Sequence, residues 1–234
     1  MRRGFFFDTK LIAEESANII RYGRVVRIMR VYSLTGKNNT ILASIFAAKE
    51  YSGKRRSIMT EQKGFVHLYS GDGKGKTTAA AGLALRALGS GRRVLFSQFL
   101  KSRASGETEP LERLGAEILR AKTSEKFFFQ MPEEEREAVK QSHTEALATI
   151  RGKINTGGFG LVVMDEVIDA VNCGAIALCG LLELIGSRPG HVEIVLTGRA
   201  PPPELVEICD YYTEFTCKAH PYQKGVAARA GIEY

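Results

Sequence analysis

The chain has 234 residues, 44% hydrophobic and 25% charged, which suits a globular protein with room for one sizeable α/β domain and something left over. No apolar run approaches the roughly 18 residues that a membrane helix needs, and Asp8 interrupts the apolar start too early for a secretory signal. The net charge of +7 is lopsided: residues 1–58 hold 12 Lys and Arg against 4 Asp and Glu, leaving 21 against 22 in residues 59–234, so the larger part is near neutral and offers no footprint for nucleic acid.

Residues 1–58 show no strand–helix alternation. Arg21, Arg24, Arg27 and Arg30 recur every third residue, and Gly53, Lys54, Arg55 and Arg56 form a basic knot. Three readings of this extension stand: a basic arm for an anionic partner, a lid over an active site, or an upstream-extended start ahead of Met59. The third is preferred, because the stretch from Met59 onward reads as a complete domain. From Gly64 the pattern becomes regular. Strands are expected at 65–69, 94–99, 117–120, 161–164, 193–196 and 211–215, and helices at 77–88, 108–114, 133–154, 176–185 and 203–208. Such alternation with short links predicts a mostly parallel sheet covered on both faces, hence a three-layer α/β domain over residues 59–234. Pro132 ahead of Glu133, Glu134 and Glu135 marks a helix start, with acids at the positive end of the helix dipole. Cys173, Cys179, Cys209 and Cys217 show no C-x-x-C pairing and read as reduced, mostly buried thiols of a cytoplasmic protein.

The first expected strand runs into Gly71, Asp72, Gly73, Lys74, Gly75, Lys76, Thr77 and Thr78, and an Ala-rich helix comes next. Strand, glycine loop and helix is the setting in which backbone N–H groups and a helix N-terminus hold phosphate. Lys76 is expected to reach the outer phosphates and Thr77 to ligate Mg²⁺. The usual phosphate-loop pattern wants glycine five residues before Gly75, where this chain has Ser70; here the glycines alternate and Lys74 adds a second cation.

A second cluster closes the strand at 161–164, which runs into Asp165 and Glu166. Ligands of open parallel sheets sit beyond the carboxyl ends of the strands, so this pair is expected to organise Mg²⁺ directly or through water. An N-cap role for Asp165 is the plain structural alternative. Gln98, Lys101 and Arg199 also lie at strand ends and are candidates for ligand contact. His67 falls mid-strand and His143 mid-helix, so both read as structural.

The 71–80 segment GDGKGKTTAA, the Gln98-Phe99-Leu100-Lys101 strand end, Asp165-Glu166, RPGH at 188–191, LTGR at 196–199 and the closing GIEY together resemble the ATP:corrinoid adenosyltransferases of P-loop NTPase-like fold. The resemblance spans about 64–234. It implies that cobalt of a reduced Co(I) corrinoid attacks the 5′ carbon of ATP, displacing triphosphate, in the biosynthesis or salvage of adenosylcobalamin. It implies ATP and corrinoid as substrates, Mg²⁺ as cofactor, a reduced flavin protein as electron donor, and a homodimer. Lys74, Lys76 and Glu166 are then the catalytic candidates, stabilising charge on the leaving triphosphate. The metal candidates are Thr77, Glu166 and Asp165. The family also sets aromatic residues against the corrinoid's lower face, usually a Phe and a Trp. This chain has no tryptophan and offers Phe127, Phe128 and Phe129; Phe128 is a candidate, but which of the three faces the corrinoid is open and two of them can be core, since three successive aromatics of one strand cannot all face the same way.

Two other functions compete. An ordinary P-loop NTP hydrolase or kinase would release ADP and would be marked by glycine at position 70 and a water-positioning residue or arginine finger. A nucleic-acid-binding ATPase would use the basic extension and bind in a salt-dependent way.

Overall fold

The computed structural model describes residues 12–22, 25–36, 39–45, 63–102 and 105–233, and the chain separates into two compact units, residues 1–56 and 57–234. The first unit contains an antiparallel sheet of β1 (Ile12–Tyr22), β2 (Val25–Gly36) and β3 (Asn39–Ile45), in the order β1-β2-β3. Its register pairs Ile12 with Thr35 and Tyr22 with Val25, then Arg30 with Ile45 and Gly36 with Asn39. The sequence left the fold of this extension undefined, since it lacks a clear strand–helix alternation. The basic knot at 53–56 and Met59 lie outside the described residues.

The second unit is built on a six-stranded sheet: β4 (Val66–Ser70), β5 (Val94–Gln98), β6 (Glu117–Arg120), β7 (Leu161–Asp165), β8 (Glu193–Thr197) and β9 (Tyr211–Glu214). The order is β6-β5-β7-β8-β4-β9, and all five pairings are parallel. β5 and β7 are buried at every residue, as expected of central strands covered on both faces, whereas β9 is an exposed edge. Six helices connect them: α1 (Lys76–Gly89), α2 (Thr108–Arg113), α3 (Glu133–Thr156), α4 (Val167–Asn172), α5 (Leu178–Gly186) and α6 (Pro203–Ile208).

Alternation along the strands sorts the core into two layers. Phe96, Leu161, Val163 and Val195 meet Ala80, Ala84 and Ala87 of α1 and Leu111 of α2 on one face. Leu95, Val162, Met164, Ile194 and Leu196 meet Ile150 and Ile154 of α3 and Leu181 and Leu184 of α5 on the other. Alanine at i, i+4 and i+7 lets α1 lie close against the sheet, which brings its N-terminus over the strand ends. This is the three-layer α/β domain expected.

Three details differ from expectation. The short helix α4 was not foreseen, because its first residue comes directly after the β7 acids. α5 starts at Leu178, two residues late, since Ala177 is extended and Ile176 buries its side chain from a loop. Phe128 begins a single turn of 3₁₀ helix, Phe128–Gln130, so the three phenylalanines do not share a strand.

Candidate active site

At the carboxyl end of this sheet lies a cleft of about 760 Å³, lined by the loop residues Asp72 to Thr78, by Phe127, Phe128 and Phe129, by Glu166 and Asp169, and by Arg199. Its floor is set by strand order. β4 and β7 are separated by β8, so the start of α1 and the end of β7 face each other across the tip of β8. Asp165 Oδ1 accepts from Thr77 Oγ1 at 2.9 Å and from Thr197 Oγ1 at 2.7 Å, and Thr197 Oγ1 in turn accepts from the Glu166 amide at 2.8 Å. Asp165 is fully buried. It sits behind Thr77, whereas Glu166 and Thr77 themselves line the cleft.

The phosphate-loop glycines have a steric cause. A Cβ on Gly71 would lie 2.4 Å from the Phe215 carbonyl oxygen, and one on Gly73 would lie 2.7 Å from the same atom. The chain leaving β9 is tied over the loop by Phe215 N to Ser70 O at 2.7 Å, Gly73 N to Phe215 O at 2.6 Å, and Cys217 N to Asp72 Oδ1 at 3.0 Å. Gly75 meets no backbone there but adopts φ 117°, at the N-cap of α1. Ser70, in the place of the customary glycine, ends β4 with its side chain buried and its hydroxyl donating to Tyr212 Oη at 3.2 Å.

The cations of the loop are folded back. Lys76 Nζ donates to Gly71 O at 2.6 Å and Gly73 O at 2.9 Å, and burial, followed by the charge of Arg199, lowers its pKa. Lys74 Nζ meets Ile232 O at 2.7 Å and Glu233 Oε1 at 2.9 Å, so the GIEY segment reaches the loop. Arg229 and Lys74 hold the Glu233 carboxyl well below the usual carboxylate range. Across the cleft, burial pushes the Glu166 carboxyl up to about 7, with Lys101 opposing and Asp165 and Asp169 adding to the rise. The Asp169 carboxyl is raised as well, by burial first, against Arg199.

Leu100, Glu166 and Ala200 are the non-glycine residues with positive φ among those described, at 53°, 61° and 42°. Each lies just past a strand that ends on the cleft, where backbone strain is held by surrounding structure. At Leu100 the support is His143: buried in α3, it bonds the Val139 carbonyl through Nδ1 at 2.9 Å, and its Nε2 accepts from the Leu100 amide at 3.2 Å. His67 is structural too, with Nε2 2.6 Å from Glu193 Oε1 and its ring stacked on Tyr211.

Of the expected site residues, Gly73 to Thr78, Asp72, Glu166, Arg199 and Phe128 meet at the cleft. Gln98 does not: it is buried, and its Nε2 donates to Ser105 Oγ at 2.7 Å and Glu107 Oε1 at 3.1 Å. Phe128 lines the cleft but also packs on the core, while Phe127 and Phe129 are 70% and 77% exposed and stack at 5.7 Å. Thr197, Asp169 and Glu233 were missed. Asp169 falls in the first turn of α4, the short helix that was not foreseen.

A family model for the ATP:corrinoid adenosyltransferases BtuR/CobO/CobP matches residues 62–234. The chain is 32% identical over 176 residues to a corrinoid adenosyltransferase of Pseudomonas aeruginosa, a match covering 74% of this chain and 85% of the relative. It is 31% identical over 175 residues to the corrinoid adenosyltransferase CobA of Salmonella typhimurium, covering 74% and 87%. A corrinoid adenosyltransferase of Escherichia coli is 29% identical over 187 residues, covering 80% and 93%. No helix among the described residues is long and apolar enough to cross a membrane. With the phosphate loop, Glu166 just past β7 and the exposed aromatic pair on one cleft, and with a family model matching residues 62–234, the chain belongs to the ATP:corrinoid adenosyltransferase family.

Proposed function

We propose that this enzyme transfers the 5′-deoxyadenosyl group of ATP to the cobalt of a reduced Co(I) corrinoid at this cleft. The observation that carries the reading is the joining of a cationic phosphate cradle to an exposed apolar platform, Phe127 and Phe129, within one cavity. The Co(I) electron pair forms the cobalt–carbon bond, the C5′–O bond breaks, and its electron pair leaves with triphosphate. Because cobalt is the nucleophile, no general base is required; the protein's tasks are alignment and stabilisation of the leaving charge. Lys76, Lys74, the amides of residues 71–78 and Arg199 supply that stabilisation, and Lys74 exchanges its tail contacts for phosphate. The phenylalanines present an apolar surface to the corrinoid ring, with Phe127 and Phe129 contributing more than Phe128.

The Thr77 hydroxyl and Glu166 carboxylate are hard oxygen donors on one cleft, and no group of three or more His, Cys, Asp or Glu among the described residues is placed to hold a metal. That donor set fits Mg²⁺, which takes its other ligands from phosphate and water. When bound, the ion would offset negative charge on the triphosphate. A reduced flavin protein as electron donor, a homodimer and a cytoplasmic location complete the reading and rest on the family likeness alone.

The test is anaerobic incubation with ATP, Mg²⁺ and chemically reduced cobalamin, followed by analysis of both products. Triphosphate with a light-sensitive organocobalt species is expected. Release of ADP would overturn the proposal in favour of ordinary phosphoryl transfer.

A further inference from the structure

Lys101 stands at a convergence that the reaction as described does not use. It comes directly after the positive-φ turn at Leu100 that His143 braces. Its Nζ lies 2.7 Å from Asp165 Oδ2, 3.4 Å from Glu107 Oε1, 3.5 Å from Thr77 Oγ1 and 3.9 Å from Glu166 Oε1. Its side chain is 17% exposed and that of Asp165 not at all. One ammonium thus serves three carboxylates and touches the hydroxyl at the start of α1.

An unpaired buried carboxylate is costly and would be relieved by protonation or by a cation from solution. We propose that Lys101 is the protein's own counter-ion for this acid cluster, so that a bare divalent ion finds no place among the acids and metal enters the cleft only together with nucleotide. This rests on reading the cleft as a metal–nucleotide site. Phosphate oxygens then bring the additional negative charge needed to hold a dication against a fixed ammonium, with Thr77 and Glu166 as protein ligands and Asp165 kept behind them. Lys101 is on this account a positioning residue: it acts by holding Asp165, and through it Thr77, rather than by touching substrate. Arginine would keep the charge but not the compact geometry that places one nitrogen among three acids.

The test is Mn²⁺ binding by electron paramagnetic resonance on the full chain, without and with ATP, for the wild type, Lys101→Met and Lys101→Met/Asp165→Asn, with circular dichroism to verify folding. Without ATP, the wild type is expected to bind no Mn²⁺ at millimolar concentration, Lys101→Met to take up one ion per chain at least tenfold more tightly, and the double variant to lose that ion. Nucleotide-free wild type that binds one Mn²⁺ below millimolar concentration and loses it on Asp165→Asn would overturn the proposal, whether or not Lys101→Met folds. So would a folded Lys101→Met variant no better than wild type. The arm with ATP tests the underlying reading separately: wild type that binds ATP without recruiting Mn²⁺ would sink the metal–nucleotide site.

Discussion

Replacing Gly73 with alanine tests whether the loop's glycine spacing is dictated by the strand that crosses it. The added Cβ would lie 2.7 Å from Phe215 O and 2.8 Å from the carbonyl carbons of Phe215 and Thr216, all backbone atoms. Restoring ordinary contact demands a separation of about 0.6 Å, more than a packed interior accommodates freely. The same movement breaks the 2.6 Å bond from Gly73 N to Phe215 O and strains that from Cys217 N to Asp72. Two hydrogen bonds at about 1 kcal/mol each, plus residual crowding, give about 2–4 kcal/mol. For a unit of this size the melting temperature should fall by about 5–12 °C. Gly75→Ala meets only the Phe215 ring, at 3.4 Å, so its cost is the φ of 117°, about 1–2 kcal/mol. Gly82→Ala, in open space within α1, should stabilise by about 0.5–1 kcal/mol. Scanning calorimetry with and without ATP ranks the three. If Gly73→Ala melted within about 1 °C of wild type and bound ATP normally, the steric account of the loop would be refuted, the 1 °C being well inside the expected shift.

Lys76→Ala removes an ammonium bonded to two loop carbonyls; calorimetric titration should show ATP affinity reduced about 10- to 100-fold, the worth of one charge-assisted bond, with the far-ultraviolet spectrum unchanged. Glu166 makes stability pH-dependent. Its folded pKa of about 7 exceeds the unfolded value of 4.5, so between these the folded state binds more protons and the ligand-free protein loses stability as pH rises. Urea midpoints measured from pH 4.5 to 8 should decline less steeply in Glu166→Gln, with the raised Asp169 leaving a residual slope of the same sign; parallel profiles would contradict the shift.

The readable parts of this protein were those governed by near neighbours. Short apolar runs alternating with helical stretches located all six strands of the second unit to within a residue at each end, the central ones because a strand covered on both faces needs little beyond its own apolar composition. The loop at 71–78 was legible because its glycines, lysines and threonines are consecutive. Gln98 shows the limit: its position at a strand end was right, yet the amide is captured by Ser105 and Glu107 from the next segment. The phenylalanines show it again, because a 3₁₀ turn rather than a strand decides which rings are exposed.

Local order along the chain was enough to specify an α/β sheet, a phosphate loop and a pair of acids closing a strand. It could not say that β8 would lie between β4 and β7, so that Thr77, Asp165 and Thr197, 88 and 32 residues apart, share one carboxylate oxygen. Nor could it say that the exit of β9 would press on Gly71 and Gly73, or that Lys101 would be buried among three acids. Those relations depend on strand order and register, which are settled only when distant segments pack together and bury charge that must find its partner.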